Sequence, residues 1–129
     1  MTMTPVEVMT RYLDAARGGD WDTAFGFMAE DLVIHIPGRS GFAGDRRGRE
    51  HAVAYIQAVR EKYAGRIELE LIDMLTSEER VVLLVLERFV GDGPPIEIRR
   101  ANVYRISDGQ ITEISIFEAD QYLVDELLH

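Results

Sequence analysis

Apolar residues recur at helical spacing along the start of the chain. Val6, Met9, Leu13 and Ala16 form one stripe, and Tyr12 shares its face. Thr4-Pro5-Val6-Glu7 opens this helix as a capping box with proline at the first helical position, and Gly18-Gly19 ends it. Asp20 is placed to cap a second, short helix carrying Trp21, Ala24, Phe25 and Met28. Leu32 to Ile36 then reads as a strand, and Pro37 to Gly48 as a loop. A third helix is expected from about Arg49 to Tyr63, with Ala52, Tyr55, Ile56, Val59 and Tyr63 on one face and Gly65 at its close.

From there the period changes to two. Four strands are expected at Ile67 to Leu75, Val81 to Val90, Ile96 to Ile106 and Gln110 to Phe117, separated by the turn-like SEER, GDGPP and SDG. Asp108-Gly109 reads as a hairpin turn. A last helical turn covers Gln121 to Leu128. In the first of these strands the alternation Ile67, Leu69, Leu71 slips by one residue to Ile72, Met74. A β-bulge has that effect, and bulges bend sheets. The pattern therefore predicts an α+β fold in which three N-terminal helices pack on a curved, mostly antiparallel sheet with a hollow between the layers. Every residue from Val81 to Leu86 is apolar, so both faces of that strand call for burial. Helices cover only one face; a second copy of the chain is the simplest cover for the other, which makes a homodimer the expectation.

Composition narrows the function classes. A chain of 129 residues has length for one domain. Its net charge of −9 disfavours nucleic acid, whose phosphates require a basic surface. Arg46, Arg47 and Arg49 are the local exception, read either as a solvated loop or as an anion site. No apolar run is long enough to span a bilayer, and MTMTPVEV lacks a signal-peptide pattern, so a cytoplasmic location is expected. Without cysteine there is no thiol nucleophile or zinc-thiolate site, and His35, His51 and His129 do not cluster, so no metal is expected.

Alternation places Ile96, Ile98, Arg100, Asn102, Tyr104 and Ile106 on one strand face. Most of these are apolar or aromatic, so the face points inward and carries Arg100 and Asn102 into a cavity. Arg100 has two readings, a ligand contact or a structural bridge to a carboxylate such as Asp120 or Glu118. His35, on the strand VIHIPG, is either a satisfied half-buried histidine or a donor and proton shuttle. Trp21 is either core or a ligand platform. Asp120 precedes QYLVDELL as an N-cap would, or stands free as a base.

The order of elements, together with RYLDAARGGDWDTAFGFMAEDLVIHIPG, FAGDRRGRE and VYRISDGQITEISIFEADQYLVDELL, resembles the NTF2-like α+β cone. More narrowly it is similar to the SnoaL-like polyketide cyclases and ketosteroid isomerases. That resemblance implies a single domain over residues 1–129. Tyr12 matches the isomerase tyrosine that donates to the oxyanion, and Asn102 matches the aspartic acid that is its second donor. Ile36 falls at the isomerase base and has no proton to take, which disfavours steroid isomerisation. SnoaL-like cyclases place an aspartate base after the last strand, where Asp120 is the match. Limonene-epoxide hydrolases use an Arg-x-Asp on one strand with a second aspartate. Arg100-Ala101-Asn102 keeps that spacing with asparagine in the carboxylate position, and Asp120 is the match for the second aspartate.

These readings converge on a small hydrophobic or polyketide-like ligand in an apolar pocket, with no cofactor. The expected chemistry is abstraction of a proton next to a carbonyl by Asp120, with Asn102, Tyr12 and His35 as donors. Arg100, Trp21, Tyr104, Ile36 and Ile116 are the expected ligand contacts. A non-catalytic carrier and an epoxide hydrolase are the alternatives.

Overall fold

The computed structural model describes residues 3–128; His129 lies outside them. Helix α1 spans Pro5–Arg17. Thr4 caps it by accepting from the Glu7 amide at 3.3 Å. Its buried side chains are Val8, Met9 and Tyr12, whereas Val6 is exposed, so the stripe is rotated towards Val8 relative to the sequence expectation. Helix α2 (Trp21–Gly26) begins at Asp20, whose carboxylate accepts from the backbone and the hydroxyl of Thr23.

Strand β1 runs Met28–Ile36 and is longer than the alternation indicated. Met28 is fully buried at its start rather than on the preceding helix. The Pro37 to Gly48 segment is not all loop, because Gly44–Arg47 forms β2, paired antiparallel with β1. The arginine cluster there is tied down: Arg46 donates to the Phe42 carbonyl, Arg49 to the Met28 carbonyl, and Arg47 lies 3.7 Å from Asp45. Gly48 then turns the chain with φ 93°, a conformation open to glycine, and its amide donates to the Leu32 carbonyl at 2.7 Å. Helix α3 follows at Arg49–Lys62.

The remaining elements are β3 (Ile67–Thr76), β4 (Arg80–Phe89), β5 (Ile96–Ser107), β6 (Gln110–Glu118) and α4 (Gln121–Leu127). The six strands form one sheet in the order β2-β1-β6-β5-β4-β3. Only β1 against β6 is parallel; the other neighbours are antiparallel. The predicted slip in β3 is a register jump between Leu71 and Asp73, which bends the strand. Asp108 and Gly109 both take positive φ, as a two-residue hairpin turn requires.

The core lies between the helices and one face of the sheet. Val81, Leu83 and Val85 point into it from β4, joined by Met9, Leu32 and Ile34. Val82 and Leu84 point the other way and are half-buried, beside the exposed Ile72, Leu75 and Phe117. A smaller apolar cluster, with Tyr63, Phe89, Ile98, Val124 and Leu128, closes the end under α4. Among the described residues no helix is long and apolar enough to cross a membrane.

Candidate active site in the hollow between helices and sheet

Cross-strand register fixes which polar groups enter the hollow. Arg100 stands opposite Val85, Asn102 opposite Leu83, and Tyr104 opposite Val81, so all three share the helix-facing side of β5. The same alternation on β4 continues past Val85 to Glu87 and carries a carboxylate inward. These side chains line a cavity of about 240 Å³, faced by Tyr12 from α1, Trp21 from α2, and the apolar Leu69 and Leu71 from β3. Of the expected site residues, Tyr12, Trp21, Arg100, Asn102 and Tyr104 are therefore together.

Arg100 is held between two carboxylates. Its Nε donates to Glu118 at 2.9 Å, and Nη1 is hydrogen-bonded to Glu87. The side chains of Arg100, Glu87 and Glu118 are 16%, 13% and 4% exposed, so this is a part-buried ion triad. Burial works against the charge on Arg100, but Glu87 and Glu118 outweigh it and its pKa is raised. Burial lifts Glu118 above the usual carboxyl range even though Arg100 pulls it down. Glu118 was one of the two bridge partners that the sequence offered for Arg100. Glu87 was missed there, although the period Val81, Leu83, Val85, Glu87 would have placed it.

The two tyrosines stand with ring centroids 6.3 Å apart and planes tilted by 53°. Burial pushes the Tyr12 hydroxyl up to about 12. Tyr104 is raised as well, by burial first and by Tyr12 second, with the Asn102 side chain opposing. Both phenols therefore keep their protons at neutral pH and can donate. Asn102 has its Oδ1 buried without a hydrogen-bond partner among the described residues. An unmet buried acceptor costs roughly 1–3 kcal/mol, a cost that a ligand hydroxyl or a water would remove. An amide can also turn over, so this corner offers either an acceptor or a donor.

Asp120 is not part of this group. It is exposed and caps α4, accepting from the Leu123 amide at 3.1 Å, and it is not among the residues lining the cavity. Its place after the last strand serves helix initiation, and the carboxylate inside the hollow is Glu87. His35 is also displaced. On β1 the inward residues are Leu32, Ile34 and Ile36, so His35 projects from the opposite face. There Nδ1 lies 2.8 Å from Asp45 and Nε2 3.0 Å from Glu113. Ile36 and Ile116 border a separate depression with His35, Asp45 and Gln121 instead of lining the Tyr12 cavity.

His35 links three strands, and its hydrogen bonds to Asp45 and Glu113 raise its pKa. A histidine raised in the folded state adds stability that is full below its unfolded value, about 6.5. That contribution is lost as pH rises through the folded value. His35→Asn should therefore lower the urea midpoint more at about pH 5.5 than at about pH 8.5. An equal loss at both values would show that the two carboxylates do not favour the protonated ring.

Three similarities to known proteins bear on this geometry. An uncharacterized Mycobacterium tuberculosis protein is 27% identical over 116 residues, covering 89% of this chain and 88% of its own. The structure of Bal32a, from a soil-derived mobile gene cassette, superposes with a TM-score of 0.86 at 25% identity, over 97% of this chain and 96% of that one. An NTF2-like protein of unknown function from Burkholderia pseudomallei superposes at 0.80 with 18% identity, covering 96% of each chain, which shows the shared fold. Residues 9–114 match the SnoaL-like domain family, most of the chain and nearly all of the hollow's walls, and the protein belongs to that family.

Proposed function

We propose that the hollow binds a small ring-bearing carbonyl compound and moves a proton at the carbon next to its carbonyl, with Glu87 as the base. The observation that carries this reading is the presence of a part-buried carboxylate, Glu87, in the same cavity as two protonated phenols. Glu87 would take the proton from carbon as the electron pair moves to the carbonyl oxygen. The hydroxyls of Tyr12 and Tyr104 would donate to that oxygen, where one such donor contributes on the order of 3 kcal/mol. Returning the proton to the same or a conjugated carbon completes an exchange or an isomerisation. Asn102, with its unmet Oδ1, suits a hydroxyl on the ligand. Only protons move, so the reading requires no cofactor.

Glu118 shares the guanidinium of Arg100 with Glu87, so the triad carries one negative charge beyond what Arg100 neutralises. An epoxide-opening relay is disfavoured by Asn102, which stands where that chemistry uses a carboxylate. The test is deuterium incorporation into 2-tetralone in heavy water, followed by NMR. Exchange above the buffer rate supports the reading. Ligand binding without exchange would leave a carrier, the reading that the Arg100 clamp on Glu87 favours.

We further propose that the chain works as a cytoplasmic homodimer. Ile72, Leu75 and Phe117 are 48%, 48% and 58% exposed on the sheet face away from the helices, around the half-buried Leu84. Apolar side chains gathered on one face are stabilised by a matching surface, and a two-fold partner supplies the same patch. Sedimentation at micromolar concentration should give the mass of two chains, and Leu84→Glu should give the mass of one. A single-chain mass for the unaltered protein would end the proposal.

A further inference from the structure

The cavity reaches solvent at one end. Tyr12, Leu83, Val85 and Tyr104 are its buried side, whereas Arg17 and Leu69 are lining residues that are themselves exposed. Trp21 forms part of the wall, and the exposed Arg60 lays its guanidinium 4.1 Å from the Trp21 ring centroid. Arg17 is thus a lining residue at the exposed end, and Arg60 stacks on another lining residue, Trp21, one helical turn beyond the lining Ile56. The chain has 23 acidic side chains against 14 basic ones. Among the described residues neither Arg17 nor Arg60 has a carboxylate within ion-pair distance, a state they share with most of the chain's arginines, so both keep their charge for another partner. Each also lies in the last turn of its helix, where a cation complements the helix dipole. The dipole explains a cation at each helix end; it does not require one to line the cavity and the other to stack on the cavity's tryptophan.

We propose that the ligand is a carboxylate, with its ring-bearing body inside the hollow and its anionic group held at the mouth by Arg17 and Arg60. The polar groups inside argue for the same orientation. Arg100 is already taken by Glu87 and Glu118, and the triad's surplus negative charge would repel a second anion from the depth of the cavity. Towards the rim, by contrast, a planar carboxylate meets guanidinium N–H donors without a carboxylate partner among the described residues, and stacking on Trp21 leaves those of Arg60 free in the plane of the guanidinium. The assignment rests on the hollow being the ligand site, and it adds the class of molecule that enters.

The chain's single tryptophan, Trp21, lines the cavity and reports occupancy through its fluorescence. The probes are 2-naphthoate and its neutral counterpart 2-naphthamide, titrated into the full chain and into the Arg17→Gln/Arg60→Gln double variant. Exposed charge pairs contribute modestly, so naphthoate should bind the unaltered protein about three- to tenfold more tightly at low salt. That preference should shrink in about 0.5 M salt. In the double variant the preference should vanish, while naphthamide, which has no charge to lose a partner, should weaken far less than naphthoate. Equal affinity of the two probes for the unaltered protein would overturn the proposal and leave the cavity reading standing. A preference that survives in the double variant would also overturn it, by sending the carboxylate to Arg100. If neither probe changes the Trp21 signal, the cavity reading fails and the proposal fails with it.

Discussion

Replacing Glu87 by glutamine should lower deuterium exchange into 2-tetralone by roughly 10²–10⁴-fold, the span that general-base catalysis contributes. Glutamine keeps the length and the hydrogen-bonding oxygen but cannot hold the abstracted proton. The substitution is also mild for the fold. It removes one of the two carboxylates on Arg100 and leaves the Arg100–Glu118 bond at 2.9 Å to satisfy the guanidinium. Binding, read by Trp21 fluorescence, should stay within a few-fold, because the cavity walls are unchanged. Loss of turnover with binding retained is what removal of a group acting only in the transition state looks like. Unchanged exchange would take Glu87 out of the reaction and put the carrier reading first.

The contrast between Glu87 and Asp120 shows what the sequence carried. Local signals were accurate: the Thr4 and Asp20 caps, the slip in β3, and the Asp108-Gly109 turn each depend on a few adjacent residues. Inward alternation on β5 was equally legible and brought Arg100, Asn102 and Tyr104 to the hollow. It worked there because the face is set by period two alone. The same rule applied to β4 would have exposed Glu87, but the unbroken apolar run Val81 to Leu86 hides the period until the first charged residue.

Asp120 and His35 failed for a different reason. Whether a residue just past a strand points inward depends on how the next helix starts, and Asp120 turned to the α4 amides instead. His35 sits one residue from the buried Ile34 and Ile36, and a displacement of one residue on a strand means the opposite face. Its partners confirm the cost of missing β2. Asp45 is delivered by a four-residue strand inside a Pro/Gly-rich segment whose polar side chains give no alternation to read.

Removing the charge at Arg100 should have the largest effect on stability. Arg100→Met keeps much of the side-chain length but leaves Glu87 and Glu118 facing each other, largely buried, with no cation. Breaking a buried ion pair by deleting one partner typically costs about 3–5 kcal/mol, because an uncompensated charge remains. Burial already raises Glu118 with the guanidinium present. Without it, Glu118 should bind its proton more tightly still in the folded chain than in the unfolded one. A carboxyl raised on folding destabilises as pH rises above its unfolded value, about 4.3 for glutamate. The variant should therefore be closer to the unaltered protein at about pH 5 than at about pH 8, by urea unfolding. Adding Glu87→Gln and Glu118→Gln to Arg100→Met removes the stranded charges. It should recover much of the lost stability, since neutral groups of similar shape often replace a buried ion cluster at little cost. No recovery in the triple variant would mean that Arg100 acts mainly through packing of its long side chain between β4 and β6, with the charges secondary.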